Sequence, residues 1–227
     1  ILSLGGLSNP ESSRRGNLYG MIGMAIAVLA TILGPRVTSS GIAWIIGALV
    51  VGGSIGMYLA RTVQMTQMPE LVAFMHSMVG LAAMVVGFAS YVDPTSTAGL
   101  SPAEQGIHHI EVYIGVLIGA VTLSGSVIAF GKLSGKIGGK PLLLPGRHCL
   151  NLAGLIAVLW FGREFMAAHT VQQGMPPLPI STVIALLFGI HLVQSIRAAA
   201  MPVGMSLLNG YQGGGGVGTR CAGYHGV

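Results

Sequence analysis

The sequence predicts an all-α protein, a polytopic bundle of about six or seven transmembrane helices. Only 7% of its residues are charged and 52% are hydrophobic, whereas a soluble globular domain carries about 25% charged residues. Mean hydropathy is +0.75. The apolar residues are gathered in runs of roughly 17 to 25, the length that a bilayer requires of a helix. The predicted surroundings of most of the chain are therefore lipid, not water.

The helices are organised around residues 68–92, a run that opens with a proline at its start, carries Glu70 in the first turn and is interrupted by His76. Five further spans are predicted at residues 17–34, 41–60, 107–130, 148–165 and 178–196. A seventh run, residues 201–211, is too short for a complete span. Residues 1–211 are thus one transmembrane domain, and residues 212–227 are a glycine-rich divergent tail. Because the chain starts at Ile1 on an apolar segment, we expect it to be a fragment.

Positive charges alternate along the connections between the spans. One predicted side holds only Arg36 and Arg163 as positive charges, with acidic residues beside them. The other collects Arg14, Arg15, Arg61, Lys132, Lys136, Lys140, Arg147 and Arg197. Basic residues in short loops mark the cytoplasmic side, or the matrix side in a mitochondrion. The net charge of +5 therefore reflects membrane topology, and no nucleic-acid partner is expected.

Glycine spacing predicts close helix packing. Gly52 and Gly56 form one pair of small residues four apart, and Gly115 and Gly119 form another. Gly80 lies four residues after His76, and Gly87 lies seven residues further on. These three positions share one helical face, so we expect His76 to point at a neighbouring backbone and not at lipid.

His76 is the strongest candidate for chemistry. A histidine titrates near neutral pH, and ionisable groups inside a membrane are costly and mark ion or proton pathways. The alternative is a neutral imidazole that only joins two helices by a hydrogen bond. Asn209, in the last apolar run, is a second candidate, because an amide both donates and accepts. Its alternative is likewise a purely structural contact.

Three hydroxyls lie close together in the fourth span: Thr122, Ser124 and Ser126. Such hydroxyls usually bond to their own helix, so Thr122 and Ser124 are at most supporting groups for a pathway. The other histidines are expected at the membrane interface: His108, His109, His148, His169 and His191. No metal site is predicted, because the histidine spacing of a zinc helix is absent and carboxylates are few. Cys149 and Cys221 have neither metal-ligand spacing nor a disulfide framework.

No nucleotide-binding motif is present. The segment GKLSGKIGGKP at residues 131–141 lacks the order of a phosphate-binding loop and follows a helix, not a strand. A Rossmann G-x-G-x-x-G after a strand is also missing. The segment is best interpreted as a solvated basic loop.

Three blocks make the sequence familiar: MPELVAFMHSMVGLAAMVVGFASY, GVLIGAVTLSGSVIAFGKLSGKI and KPLLLPGRHCLNL. They resemble the membrane domain of the beta subunit of proton-translocating NAD(P) transhydrogenase, and the similarity extends over residues 3–211. The resemblance implies a proton path that serves hydride transfer from NADH to NADP+. His76 matches the family's proton-pathway histidine and Asn209 its pathway asparagine.

The resemblance also implies partners and a location. NAD(H) and NADP(H) would be bound by separate soluble domains, so this chain is expected to bind no cofactor itself and not to transfer hydride alone. An alpha subunit, an NADP(H)-binding domain, a dimeric complex and an energy-transducing membrane are the implied context. Where the family has an acidic residue before M-P-V, this chain has Ala200. This departure leaves a second hypothesis open, a non-catalytic scaffold or assembly subunit, and a stand-alone channel ranks third.

Overall fold

The computed structural model describes residues 12–34, 37, 39–140, 146–168 and 170–195, and every regular element in these ranges is helical. The elements are α1 (Ser13–Ile32), α2 (Ser39–Thr62), a 3-10 turn (Met65–Gln67), α3 (Met68–Val92), α4 (Pro102–Leu133), α5 (Arg147–Ala167), α6 (Val171–Gly174) and α7 (Pro177–Gln194). With α6 and α7 taken together, six helices are long and apolar enough to cross a membrane. The all-α class and the first six spans are confirmed, and the seventh run lies outside the described residues.

The chain divides into two compact units, residues 1–63 and 64–227. The first contains α1 and α2, whose large apolar side chains are mostly exposed, as Trp44 is. The hydroxyls of Thr31 and Ser54 donate to carbonyls four residues earlier in their own helices, which satisfies them without water. A Cβ on Gly52 or Gly56 would meet no atom within 4 Å. Among the described residues, this pair is therefore not a helix contact.

Local sequence explains where α3 and α4 begin. Helix α3 carries a proline at its start and Glu70 in its first turn, as predicted. Helix α4 begins five residues earlier than its predicted span, because Ser101 and Glu104 form a capping box: the Ser101 side chain accepts from the Glu104 backbone, and the Glu104 carboxylate accepts from the Ser101 backbone. The sequence S-P-A-E at residues 101–104 is itself a capping-box pattern. Because these residues are polar, the predicted apolar span did not include them.

In the second unit, α3 and α4 are antiparallel and touch backbone to backbone. A Cβ on Gly80 would lie 2.6 Å from the backbone nitrogen of Leu123, and one on Gly119 would lie 2.7 Å from that of Met84. Further along the same contact, Gly87 packs against the side chain of Val116. The predicted packing roles of Gly80, Gly87 and Gly119 are confirmed, and we call this contact the α3–α4 seam.

The other side of α4 faces α7 and α5. Gly189 of α7 packs against Val121 and Ser124 of α4, and Val193 clusters with Ala129. Because numbers rise together along both helices, α4 and α7 are parallel. Helix α5 packs mainly on α7 and also touches α4, where the Tyr113 hydroxyl donates to the Val158 carbonyl at 2.6 Å. Helix α4 therefore lies between α3 on one side and α5 and α7 on the other.

A buried lysine joins the C-terminal ends of α4 and α7. Lys132 is only 4% exposed, and its Nζ donates to the carbonyl oxygens of Val193 at 3.0 Å and Gln194 at 2.8 Å. The last carbonyls of a helix have no partner within the helix, and they carry the negative end of its dipole. The ammonium therefore caps α7 and fixes its end against α4.

Replacing this cap should destabilise the bundle measurably. Lys132→Met keeps most of the aliphatic stem but leaves both carbonyls without the ammonium, and hydrogen bonds to a charged group are worth about 1.5–3 kcal/mol. We expect a loss of about 2 kcal/mol, seen as a lower Tm of the detergent-solubilised protein. The matched control is Lys136→Met, because Lys136 is exposed on the same segment. Equal Tm values for the two variants would contradict the capping role.

Candidate functional site

His76 lies in the third turn of α3, at the edge of the stripe that packs on α4. The buried positions of that stripe are Ala73, Ser77, Gly80, Gly87 and Tyr91. His76 is partly buried beside them. Its Nδ1 lies 3.3 Å from the carbonyl oxygen of Val72 in its own helix. Its Nε2 is buried and has no hydrogen-bond partner among the described residues. The backbone that the imidazole contacts is thus its own helix and not the neighbouring one that the sequence suggested.

This geometry assigns roles to the two ring nitrogens. A carbonyl oxygen only accepts, so the contact with Val72 is a hydrogen bond when Nδ1 carries the proton. In the neutral ring, Nε2 then bears the lone pair. A buried lone pair that no described group occupies is a site where a proton can be taken up. His76 therefore has the arrangement of a base whose proton-binding atom faces into the protein.

Ser126 of α4 stands at the same level of the bundle as His76. Ala73 clusters with Ala129 and Gly80 contacts Leu123, so the level of His76 on α3 corresponds to Ser126 on α4. Ser126 lies two turns after Gly119, on the face that packs against α3. Its side chain is fully buried, and its Oγ has no partner among the described residues. Two buried polar atoms without partners thus share one layer of the seam.

The two supporting hydroxyls that the sequence singled out differ from Ser126. Ser124 is buried, but its Oγ donates to its own helix, at 3.1 Å from the Ala120 carbonyl oxygen and 3.3 Å from that of Val121. It also touches Gly189 of α7, on the opposite side of α4 from the seam. Thr122 is 1% exposed. The expectation that such hydroxyls bond to their own helix holds for Ser124 and not for Ser126.

The remaining histidines differ in their surroundings. His109 packs edge-on against Tyr91 and Phe165, with ring centroids 5.8 and 5.9 Å away, so it is part of an aromatic cluster. His108 lies 3.4 Å from the Ser90 hydroxyl. His191 is half-buried on α7. The side chains of His148 and His169 lie outside the described part of the structure.

The sequence analysis did not single out two partly buried polar residues that each have one fully buried polar atom. Glu111 lies within α4, and its Oε2 is buried without a hydrogen-bond partner in the described ranges; the same holds for Oδ1 of Asn151 on α5. Both residues lie within two or three turns of a helix end, where polarity resembles that of a loop edge. Only the packing of the neighbouring helices shows that they are interior. Their burial could not be deduced from one sequence.

Asn209 and Ala200 both lie outside the described residues, so the structure does not place the second predicted pathway residue relative to His76. Among the residues that are described, no three His, Cys, Asp or Glu side chains are grouped as metal ligands. Among the described residues, the strongest candidate site is therefore His76 with Ser126, which lie at the same level of the α3–α4 seam and each have a buried polar atom without a described partner.

The sequence matches the family described as NAD(P) transhydrogenase beta subunit over residues 1–224. Two curated relatives from Rhodospirillum rubrum, one of them from a defined strain, are named NAD(P) transhydrogenase subunit beta. Each is 43% identical over 216 residues, which is 94% of this chain and 45% of the relative. The chain thus spans about half the length of these relatives. With six apolar helices in the described ranges, it is a membrane protein that belongs to the NAD(P) transhydrogenase beta subunit family.

Proposed function

We propose that this chain is the proton-translocating membrane domain of an NAD(P) transhydrogenase complex. In that complex a hydride passes from NADH to NADP+ on separate soluble domains, while a proton crosses the membrane through this helix bundle. The chain would serve as a translocase subunit of an oxidoreductase and would hold no nucleotide itself. Membership of the beta subunit family and six apolar helices support this assignment.

The observation that carries the proposal is the state of His76. Its Nδ1 is held by the Val72 carbonyl, while its buried Nε2 is left without a partner among the described groups. An imidazole that served only as a link between helices would use both nitrogens, because an unmade buried hydrogen bond costs about 1–3 kcal/mol. A relay, in contrast, needs one nitrogen that can bind and release a proton. His76 would exchange that proton first with one side of the membrane and then with the other.

The proposal includes partners and a location. NAD(H) and NADP(H) would be bound by the alpha subunit and by an NADP(H)-binding domain, and the whole would form a dimeric complex in an energy-transducing membrane. The basic connections, including Lys132 and Lys136 after α4, would face the cytoplasm or the matrix. Asn209 would assist His76 from the last apolar run, with Ser124 and Thr122 as possible supports.

A second candidate function is favoured by one sequence departure. Ala200 stands where the family has an acidic residue on the side that faces the NADP(H) domain, and loss of that charge could separate the membrane domain from the nucleotide chemistry. The chain would then be a scaffold or assembly subunit, in which His76 and Asn209 only pack.

Reconstitution distinguishes the two functions. The natural full-length subunit that contains this chain is assembled with its nucleotide-binding partners in lipid vesicles, and acidification of the vesicles is followed during hydride transfer from NADH to NADP+. We expect proton movement that starts with hydride transfer and stops when either nucleotide is omitted. A complex that assembles but moves no protons would support the scaffold and overturn the proposal.

A further inference from the structure

Asn151 of α5 presents a buried polar atom that the proposed relay does not use. Its Oδ1 is buried and has no hydrogen-bond partner among the described residues. Asn151 lies three residues before Gly154 and seven before Val158, on one helical face. Gly154 and Val158 line a cavity of about 170 Å³ between α4, α5 and α7. The amide oxygen therefore lies on the inner face of α5, where burying it without a hydrogen bond is unfavourable.

The residue opposite Asn151 on α7 is His191. Helices α5 and α7 are antiparallel: Val158 and Ile184 line the same cavity, and a Cβ on Gly154 would lie 3.7 Å from the ring of Phe188. Two turns beyond Val158 and Ile184, toward the C-terminal end of α7, the same two helix faces carry Asn151 and His191. Each is seven residues from its member of that pair, so both stay on the contact face.

This second pair has the same depth in the bundle as His76. On α7, Gly189 contacts Val121 and Ser124 of α4, and Val193 clusters with Ala129, so His191 is level with Ser126. Ser126 faces α3 and His76 across the seam. Asn151 and His191 lie on the opposite side of α4, about 4.5 Å along the axis from the capped end of α7.

We propose that Asn151 and His191 form a second polar station of the proton path, which exchanges protons with water entering from the end of the bundle where Lys132 caps α7. The Asn151 amide oxygen accepts a hydrogen bond from one water, which in turn accepts one from the His191 ring. The other ring nitrogen takes a proton from water and later returns one, so only N–H bonds form and break. His191 is the proton-binding group, and Asn151 is the positioning residue that fixes its ring. This inference rests on the function proposed above.

Water access at Asn151 is tested without relying on activity. Asn151→Cys is made in the full-length subunit with Cys149→Ser and Cys221→Ser, assembled in its complex, and treated with a small cationic methanethiosulfonate. The reagent needs a thiolate and water. We expect it to react with the new thiol at least about tenfold faster than with that of the control Leu152→Cys. Leu152 is the next residue and is 58% exposed on the outer surface of α5.

Whether the side chains at positions 151 and 191 face each other is tested in the same assay with Cd²⁺. A thiolate and an imidazole that face each other bind this ion together, so Cd²⁺ should slow modification of Asn151→Cys. Adding His191→Leu should remove that protection. Protection that is unchanged by His191→Leu, or a modification rate no faster than that of Leu152→Cys, would overturn the proposed station.

Coupled turnover then separates this inference from the proposed function. His191→Leu should lower the proton-coupled rate about 100-fold or more, as loss of a proton-transfer group does. Asn151→Leu should also lower it, because the His191 ring then loses the group that positions it. The double variant should be no worse than the slower single one, because the two residues act as one unit. Asn151→Asp, which keeps the oxygen, should restore part of the rate. If both leucine variants run at the wild-type rate while His76→Ala is inactive, the station is wrong and the proposed function stands. If His76→Ala is also fully active, the proposed function itself fails.

Discussion

His76→Ala is expected to reduce proton-coupled hydride transfer by the assembled complex about 100-fold or more, the usual range for losing a group that carries a proton. The substitution removes a buried ring nitrogen that has no partner among the described residues, the atom to which the proposed relay assigns the proton. Vesicle acidification and hydride transfer are measured together. The expected result is loss of both, because coupling makes each depend on the other.

Two variants separate proton transfer from folding. His76→Asn keeps a donor for the Val72 carbonyl but cannot take up a proton near neutral pH, so it should be as inactive as His76→Ala. Met75→Ala changes the preceding residue, whose side chain is 56% exposed, and should leave turnover near the wild-type rate. The Val72 carbonyl also belongs to the helix ladder, so the Tm of the His76 variants should change little. A His76→Asn complex that still pumps at full rate would refute the relay.

Gly119→Val is expected to produce the largest structural defect. A Cβ at this position would lie 2.7 Å from the backbone nitrogen of Met84 and 2.9 Å from the carbonyl oxygen of Gly80. Neither atom belongs to a side chain that could rotate away, so α3 and α4 must separate. Overpacking typically costs about 1–3 kcal/mol, and a β-branched residue against backbone should reach the upper end. We expect a clearly lower Tm and a lower yield of assembled complex.

The same helix supplies the matched control. Gly106 lies in α4 as well, and a Cβ there would meet no atom within 4 Å, so Gly106→Val should behave like the wild type. Gly80→Val should resemble Gly119→Val, since both add atoms to one contact, and the double variant should be less destabilised than the sum of the two. Similar Tm values for Gly119→Val and Gly106→Val would show that the seam is not tightly packed.

The sequence predicted the helices better than it predicted their contacts. Run length and low charge located six spans, because a bilayer imposes a length that few other environments require. Spacing of small residues did not distinguish pairs that pack from pairs that do not. Gly119, which is paired with Gly115 by spacing, touches backbone, whereas Gly52 and Gly56 meet nothing among the described residues. The spacing is a property of one helix, and a contact needs a second.

For the candidate site too, the sequence predicted the residue that stands out within one helix and not the residues whose burial depends on other helices. His76 was predicted because an ionisable group inside a long apolar run is conspicuous. Ser126 could not be separated from Ser124, since both are hydroxyls of one helix and only their neighbours differ: Ser124 bonds to its own backbone, and Ser126 has no partner in the described ranges. Asn151 and Glu111 were missed because burial of a polar atom depends on what other helices place over it.

The backbone contact between Gly80 and Gly119 has a mechanical consequence. Where the backbones of the two helices touch at Gly80 and Gly119, neither helix can turn or slide without colliding with the main chain of the other. Helices α3 and α4 should therefore move as one rigid unit that keeps His76 and Ser126 at constant separation. The room for motion lies on the far side of α4, where α5 and α7 leave a cavity of about 170 Å³. We therefore expect any alternation of access to come from displacement of α5 against this fixed pair.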